Sequence, residues 1–88
     1  MASHEPPSAF SRDLAALLAR LRPALTEICT RHCLTPEETD AVVYENALSL
    51  ARRWDRLEGE DRGEWLLAAV EEHCRRLTER RAVETQEN

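Results

Sequence analysis

The sequence contains no lysine: all twelve basic residues are Arg. It has two glycines, one Phe, one Tyr and two Trp. Glycine is scarce and the β-branched residues are few and scattered, which leaves little material for strands. No apolar run approaches the length of a membrane span. The opening MASHEPPSAF lacks a basic segment followed by an apolar stretch, so it does not read as a secretory signal, and a cytoplasmic location is expected. Three Cys is an odd number that offers no disulfide framework, and reduced thiols are expected. Enzyme signatures are missing too. There is no Gly-rich phosphate loop, no nucleophile–base arrangement and no pair of carboxylates with a reason to converge, and His4, His32 and His73 stand apart. The chain therefore reads as non-enzymatic and without a cofactor.

What is present is helix-forming. Ala, Leu, Arg and Glu dominate. The 88 residues suit one small domain, and 42% hydrophobic residues beside 33% charged suit a soluble helical one. The net charge of −5 argues against non-specific nucleic-acid binding, which needs clustered cations. Arg also suits carboxylates and aromatic rings, so Arg-rich faces fit protein partners.

Residues 1–9, with Pro6 and Pro7, read as a disordered lead, 10–82 as the helical domain and 83–88 as a polar tail. Ser8 or Ser11 is a candidate cap for the first helix. Phe10, Leu14, Leu17, Leu18, Leu21, Leu25, Ile28 and Cys29 follow helical spacing. Pro23 interrupts them and predicts a kink or break near Arg22. Thr35-Pro36-Glu37-Glu38 predicts a capped start with a capping box. The helix it opens runs to about Trp54, with a stripe of Val43, Ala47, Leu50 and Trp54 and with Tyr44, Leu48 and Ala51 beside it. Residues 55–63 connect to a last helix that Asp61 is expected to cap, with Trp65, Leu66, Ala69, Val70, His73, Cys74 and Leu77 at helical spacing. The fold class is all-α, a bundle of three helices, or four if Pro23 breaks the first.

Three segments carry a family resemblance. Leu21-Arg22-Pro23-Ala24-Leu25 comes first. Asp40-Ala41-Val42-Val43-Tyr44-Glu45-Asn46-Ala47-Leu48 follows. The third is Arg53-Trp54-Asp55-Arg56-Leu57 with the helix from Trp65 to Leu77. In order and spacing, from Leu17 to Arg81, they resemble region 2 of bacterial RNA polymerase sigma factors of the extracytoplasmic-function type. The resemblance implies a transcription-related interaction module. Its middle helix would meet the polymerase clamp or an anti-sigma-like regulator, with Asp40, Tyr44, Glu45, Leu48 and Arg52 as the partner-binding residues. The family's Asp and Gln places on that helix are here Ala41 and Tyr44, which predicts a non-standard partner. Its Arg and Asn places on the last helix are here Glu71 and Glu72, which would repel phosphate. The resemblance covers one domain, so a second chain is a candidate source of the family's other promoter-reading domain. An adaptor or structural subunit outside transcription is the alternative reading.

Four further constellations stand out. Arg75, Arg76 and Arg80, with Arg81, could contact nucleic acid, or pair with Glu71, Glu72 and Glu79 at spacings of three and four. The interleaved acids favour pairing. Cys29 and Cys33 are four apart and so share a face, and if the first arm packs on the last helix His73 or Cys74 could meet them at a zinc ion; Cys29 and Cys74 as small core residues is the simpler expectation. Trp54 and Trp65 could stack on bases, or close the helix junction as core aromatics, the favoured reading. Finally, Tyr44, Leu48 and Ala51 could bury themselves in a homodimer.

Overall fold

The structure, a computed structural model, describes residues 9–87, with side chains from 12 to 84. The disordered lead expected at 1–8 lies outside the described residues, as do the Ser8 cap and the side chain of Phe10. The described residues form three helices, α1 (Ala9–Arg31), α2 (Pro36–Arg52) and α3 (Glu60–Glu87), with a 3₁₀ turn at Trp54–Arg56. No strand occurs among them. The expected all-α bundle is what forms. None of these helices is long and apolar enough to cross a membrane.

The break expected at Pro23 does not occur: α1 runs through it for 23 residues, which settles the helix number at three. Ser11 lies inside α1, past the cap position, and its side chain is outside the described residues. Pro23 removes the bond to the Ala19 carbonyl, a loss of about 3 kcal/mol in a helix interior. Both residues lie on the exposed side of α1. On the opposite side Leu17, Leu25, Ile28 and Cys29 are buried in the core. Burying a Leu or Ile side chain is worth about 1.5–3 kcal/mol, so packing on either side of the proline outweighs the lost bond.

α1 stops at a Schellman cap. The Leu34 amide donates to the Cys29 carbonyl at 3.1 Å and the Cys33 amide to the Thr30 carbonyl at 2.9 Å. Cys33 takes the left-handed position, φ 64°, and Leu34 tucks into the core. A side-chain-bearing residue there costs about 1–2 kcal/mol. Glycine removes that cost but loses about 0.5–1 kcal/mol of backbone entropy. Cys33→Gly is therefore expected to stabilise the protein by about 0.5–1 kcal/mol, read as a raised urea midpoint with an unchanged slope.

α2 starts as its four letters predict. Thr35 Oγ1 accepts from the Glu38 amide at 3.1 Å, and Glu38 Oε1 accepts from the Thr35 amide at 2.8 Å. Pro36 occupies the first turn. The buried face, however, is Val42, Asn46, Ala47 and Leu50, continuing into Trp54. Val43 is only partly buried, while Tyr44 and Leu48 face outward. The wide stripe expected to pack on two neighbours is thus narrower, and turned toward the side that carries Asn46.

α3 starts one residue before Asp61, so Asp61 sits in its first turn and does not cap it. Gly59, at φ 46°, makes the turn into the helix. α3 lays Leu66, Val70 and Cys74 into the centre of the core, against both α1 and α2. It continues through residues 83–87, so the expected polar tail is helical as far as Glu87.

Candidate protein-docking face

The outward side of α2 collects all five residues expected to bind a partner. Asp40, Tyr44, Glu45, Leu48 and Arg52 are each exposed, at spacings of three and four. Tyr44 is 65% and Leu48 42% exposed, and they are the largest apolar side chains so presented on this helix. Acids fill its first half, with Glu37 and Glu38 in the first turn and Asp40 and Glu45 beyond. Arg52 closes the other end. Both signs suit the helix dipole.

Beside this face a groove runs between α1 and α2. A pocket of about 200 Å³ is lined by Leu18, Leu25, Val43 and Ala47, with Arg22 and Asp40 at its rim and Tyr44 as one wall. It continues toward Leu34 and Pro36, sharing Arg22, Thr26, Thr39 and Asp40 with the next pocket. The α1 half of this groove was not read from the sequence, because the helical spacing of Leu18 and Leu25 does not show which neighbour covers them.

The face is held in place from behind. Asn46, 9% exposed, donates to the Val42 carbonyl at 2.7 Å and lies 3.0 Å from His73 Nδ1 on α3. Its amide therefore has both hydrogens engaged when Nδ1 accepts. His73 Nε2 then points toward Glu45, 3.7 Å away. Glu38 adds a second tie, its carboxylate meeting Arg81 of α3 while also closing the capping box. On the other flank Glu71 bonds His32 at 2.6 Å and lies 3.9 Å from Arg31, joining α3 to the end of α1. Glu71 is thus tied across helices, and not along α3 as its spacing from Arg75 suggests, because α1 ends beside it.

The basic end of α3 pairs largely with itself. Arg75 donates to both Glu72 oxygens at 2.6 and 2.7 Å, and to Glu79 at 2.6 Å. Its hydrogen bond holds the Glu72 carboxyl below the usual carboxylate range, and the same bond raises Arg75. Arg76 reaches Glu72 at 4.0 Å, and Arg80 is exposed. A phosphate would have to displace these carboxylates from Arg75, so the geometry favours the pairing alternative for that residue.

The cysteines divide by depth. Cys29 and Cys74 are fully buried with their sulfurs 3.7 Å apart, joining α1 to α3. Cys33 is exposed beyond the end of α1, so it does not share a helical face with Cys29. His73 is engaged with Asn46. Among the described residues no group of three or more His, Cys, Asp or Glu side chains is placed to hold a metal ion. The Cys74 thiol is pushed up to about 12, first by burial and then by its hydrogen bond with Cys29. A thiol so protonated is a poor nucleophile. Iodoacetamide at pH 8 is therefore expected to add to Cys33 alone in the folded protein and to all three Cys after unfolding, as counted by intact mass.

Trp54 is buried, with the Arg62 guanidinium 4.2 Å above its ring. Trp65 is half-buried, with Arg53 at 5.2 Å. Both rings are covered by Arg, and Trp54 belongs to the core. The Arg62 contact was missed in the sequence because nothing in an eight-residue separation across a turn marks it.

The chain matches no protein-family model, no curated protein and no solved structure.

Proposed function

We propose that this protein is a non-enzymatic interaction module of sigma region 2 type. It docks the outward face of α2 on RNA polymerase or on a regulator that binds sigma factors, in the cytoplasm of a bacterium. The observation that carries the docking part is the exposure of Tyr44 and Leu48 side by side on a helix whose other face is fully packed. An apolar pair rimmed by Asp40, Glu45 and Arg52 is the composition of a helix-in-groove contact. The transcription part rests on the resemblance of three segments. Ala41 and Tyr44 stand where the family carries polar groups, so the complementary surface is more apolar than a usual clamp contact.

The test is affinity capture from the native host, with Tyr44→Arg and Glu45→Arg beside the unaltered protein. Polymerase subunits or a sigma-binding regulator are expected with the unaltered chain. Each variant is expected to retain less than about a tenth of that capture, the effect of losing a central contact worth at least 1.4 kcal/mol. Equal capture by all three proteins contradicts the face. Capture of an unrelated assembly, lost in both variants, keeps the face and moves the protein to the adaptor reading.

A further inference from the structure

We infer that the outward face of α2 also pairs with a second copy of itself, antiparallel, in a twofold dimer centred between Leu48 and Ser49. Three observations on this helix carry the inference, which does not depend on the transcription reading.

The first is the spacing. Ala41, Tyr44, Leu48 and Ala51 follow one another at three, four and three residues, the pattern of a helix–helix seam. Ala41, Tyr44 and Leu48 are exposed, and Ala51 is half-buried. An axis between Leu48 and Ser49 brings Leu48 of the two copies together at the centre of the seam.

The second is the charge along that seam. Its first half carries Glu37, Asp40 and Glu45, Arg52 lies in its last turn, and Arg53 and Arg56 follow just beyond the helix, all exposed. A parallel partner would set acid on acid and base on base. An antiparallel copy sets each acidic half over a basic end, and opposes the helix dipoles favourably.

The third is a specific pair. Glu45 and Arg52 lie seven residues apart, two turns or about 10 Å along one flank. A twofold axis midway between them places Glu45 of each copy against Arg52 of the other, so both pairs form at once. Isologous interfaces require this reciprocity. Arg52 has no ion-pair partner among the described residues, and Glu45 meets only His73, at 3.7 Å with its side chain 66% exposed. Both are free to turn outward. The overall charge of −5 would drive copies apart, so local pairing sets the orientation. Such a dimer covers Tyr44 and Leu48 and excludes any other protein from them.

Sedimentation velocity on the purified chain over a range of concentrations tests this without any partner, so its failure leaves the proposed function standing. The unaltered protein is expected to shift from monomer to dimer as concentration rises. Glu45→Arg and Arg52→Glu should each weaken association at least tenfold, with far-UV circular dichroism unchanged because both positions are exposed. Combining the two reversals should restore most of the lost affinity, since each new Arg then faces a new Glu. Three results overturn the proposal: a monomer at every concentration, leaving the face to a different protein; single variants that associate as well as the parent; or a double variant no better than the singles.

Discussion

Trp54→Ala is expected to destabilise the protein by about 3–5 kcal/mol, the range for truncating a buried Trp. The reason is where the ring sits. Trp54 opens the 3₁₀ turn that links α2 to α3 and is part of the core with Leu17, Leu50 and Leu66. Arg62 lies over the ring and donates through Nε and Nη2 to the Trp54 carbonyl at 3.2 and 2.9 Å. Alanine keeps the carbonyl bonds and removes the ring, so the loss is chiefly packing. A cleft of about 320 Å³ already borders the site, lined by Asp13, Leu17, Arg20 and Arg62. Truncation therefore opens the core to water on that side, and the turn loses the anchor that sets the angle between α2 and α3. A domain of this size has roughly 5–10 kcal/mol of stability in total, so the variant should be largely unfolded at modest urea. Trp54→Phe, which refills most of the space, should lose much less. A loss under about 1 kcal/mol for Trp54→Ala would mean that the ring is not core.

The second large effect separates two leucines on one helix. Leu50→Ala is expected to cost about 3–5 kcal/mol, because Leu50 is wholly buried and its neighbours cannot collapse fully into the cavity. Leu48→Ala, two residues earlier and 42% exposed, should cost less than about 0.5 kcal/mol. The contrast fixes the rotation of α2 about its axis, and with it the identity of the outward face. If the two substitutions cost the same, Tyr44 and Leu48 are not presented as described, and both the docking face and the dimer seam lose their basis. Urea unfolding of the two variants at one temperature gives the comparison.

What was legible in the sequence was local. The capping box at Thr35 is written in four consecutive residues, and the α1 stripe in a simple period. The outward residues of α2 were legible as neighbours on one helix, but Tyr44 and Leu48 also read as part of a broad packing surface. Period alone cannot choose between adjacent stripes when Val42, Val43, Leu48 and Leu50 are all apolar. The deciding group is polar: Asn46 goes inward because His73 on α3 and the Val42 carbonyl satisfy its amide. Pro23 interrupts the period without ending α1, since its cost is local while the burial of Leu17, Leu25, Ile28 and Cys29 offsets it. The thiols follow the simpler expectation for Cys29 and Cys74, which meet in the core across 45 residues of sequence. Cys33 looks like a neighbour of Cys29, yet it is itself the left-handed cap residue and leaves the helical face. Cross-helix ties such as Glu38–Arg81 and His32–Glu71 have no local signature at all.

If another protein is met on the outward face of α2, a reactive group placed there will capture it. The most direct measurement places a photo-crosslinking phenylalanine analogue at Tyr44 and, separately, at Glu84 near the far end of α3, and illuminates cells of the native host. Tyr44 should crosslink to a polymerase subunit or a sigma-binding regulator, and Glu84 should not. No adduct from Tyr44, or the same adducts from both positions, would mean that this face is not where a partner docks.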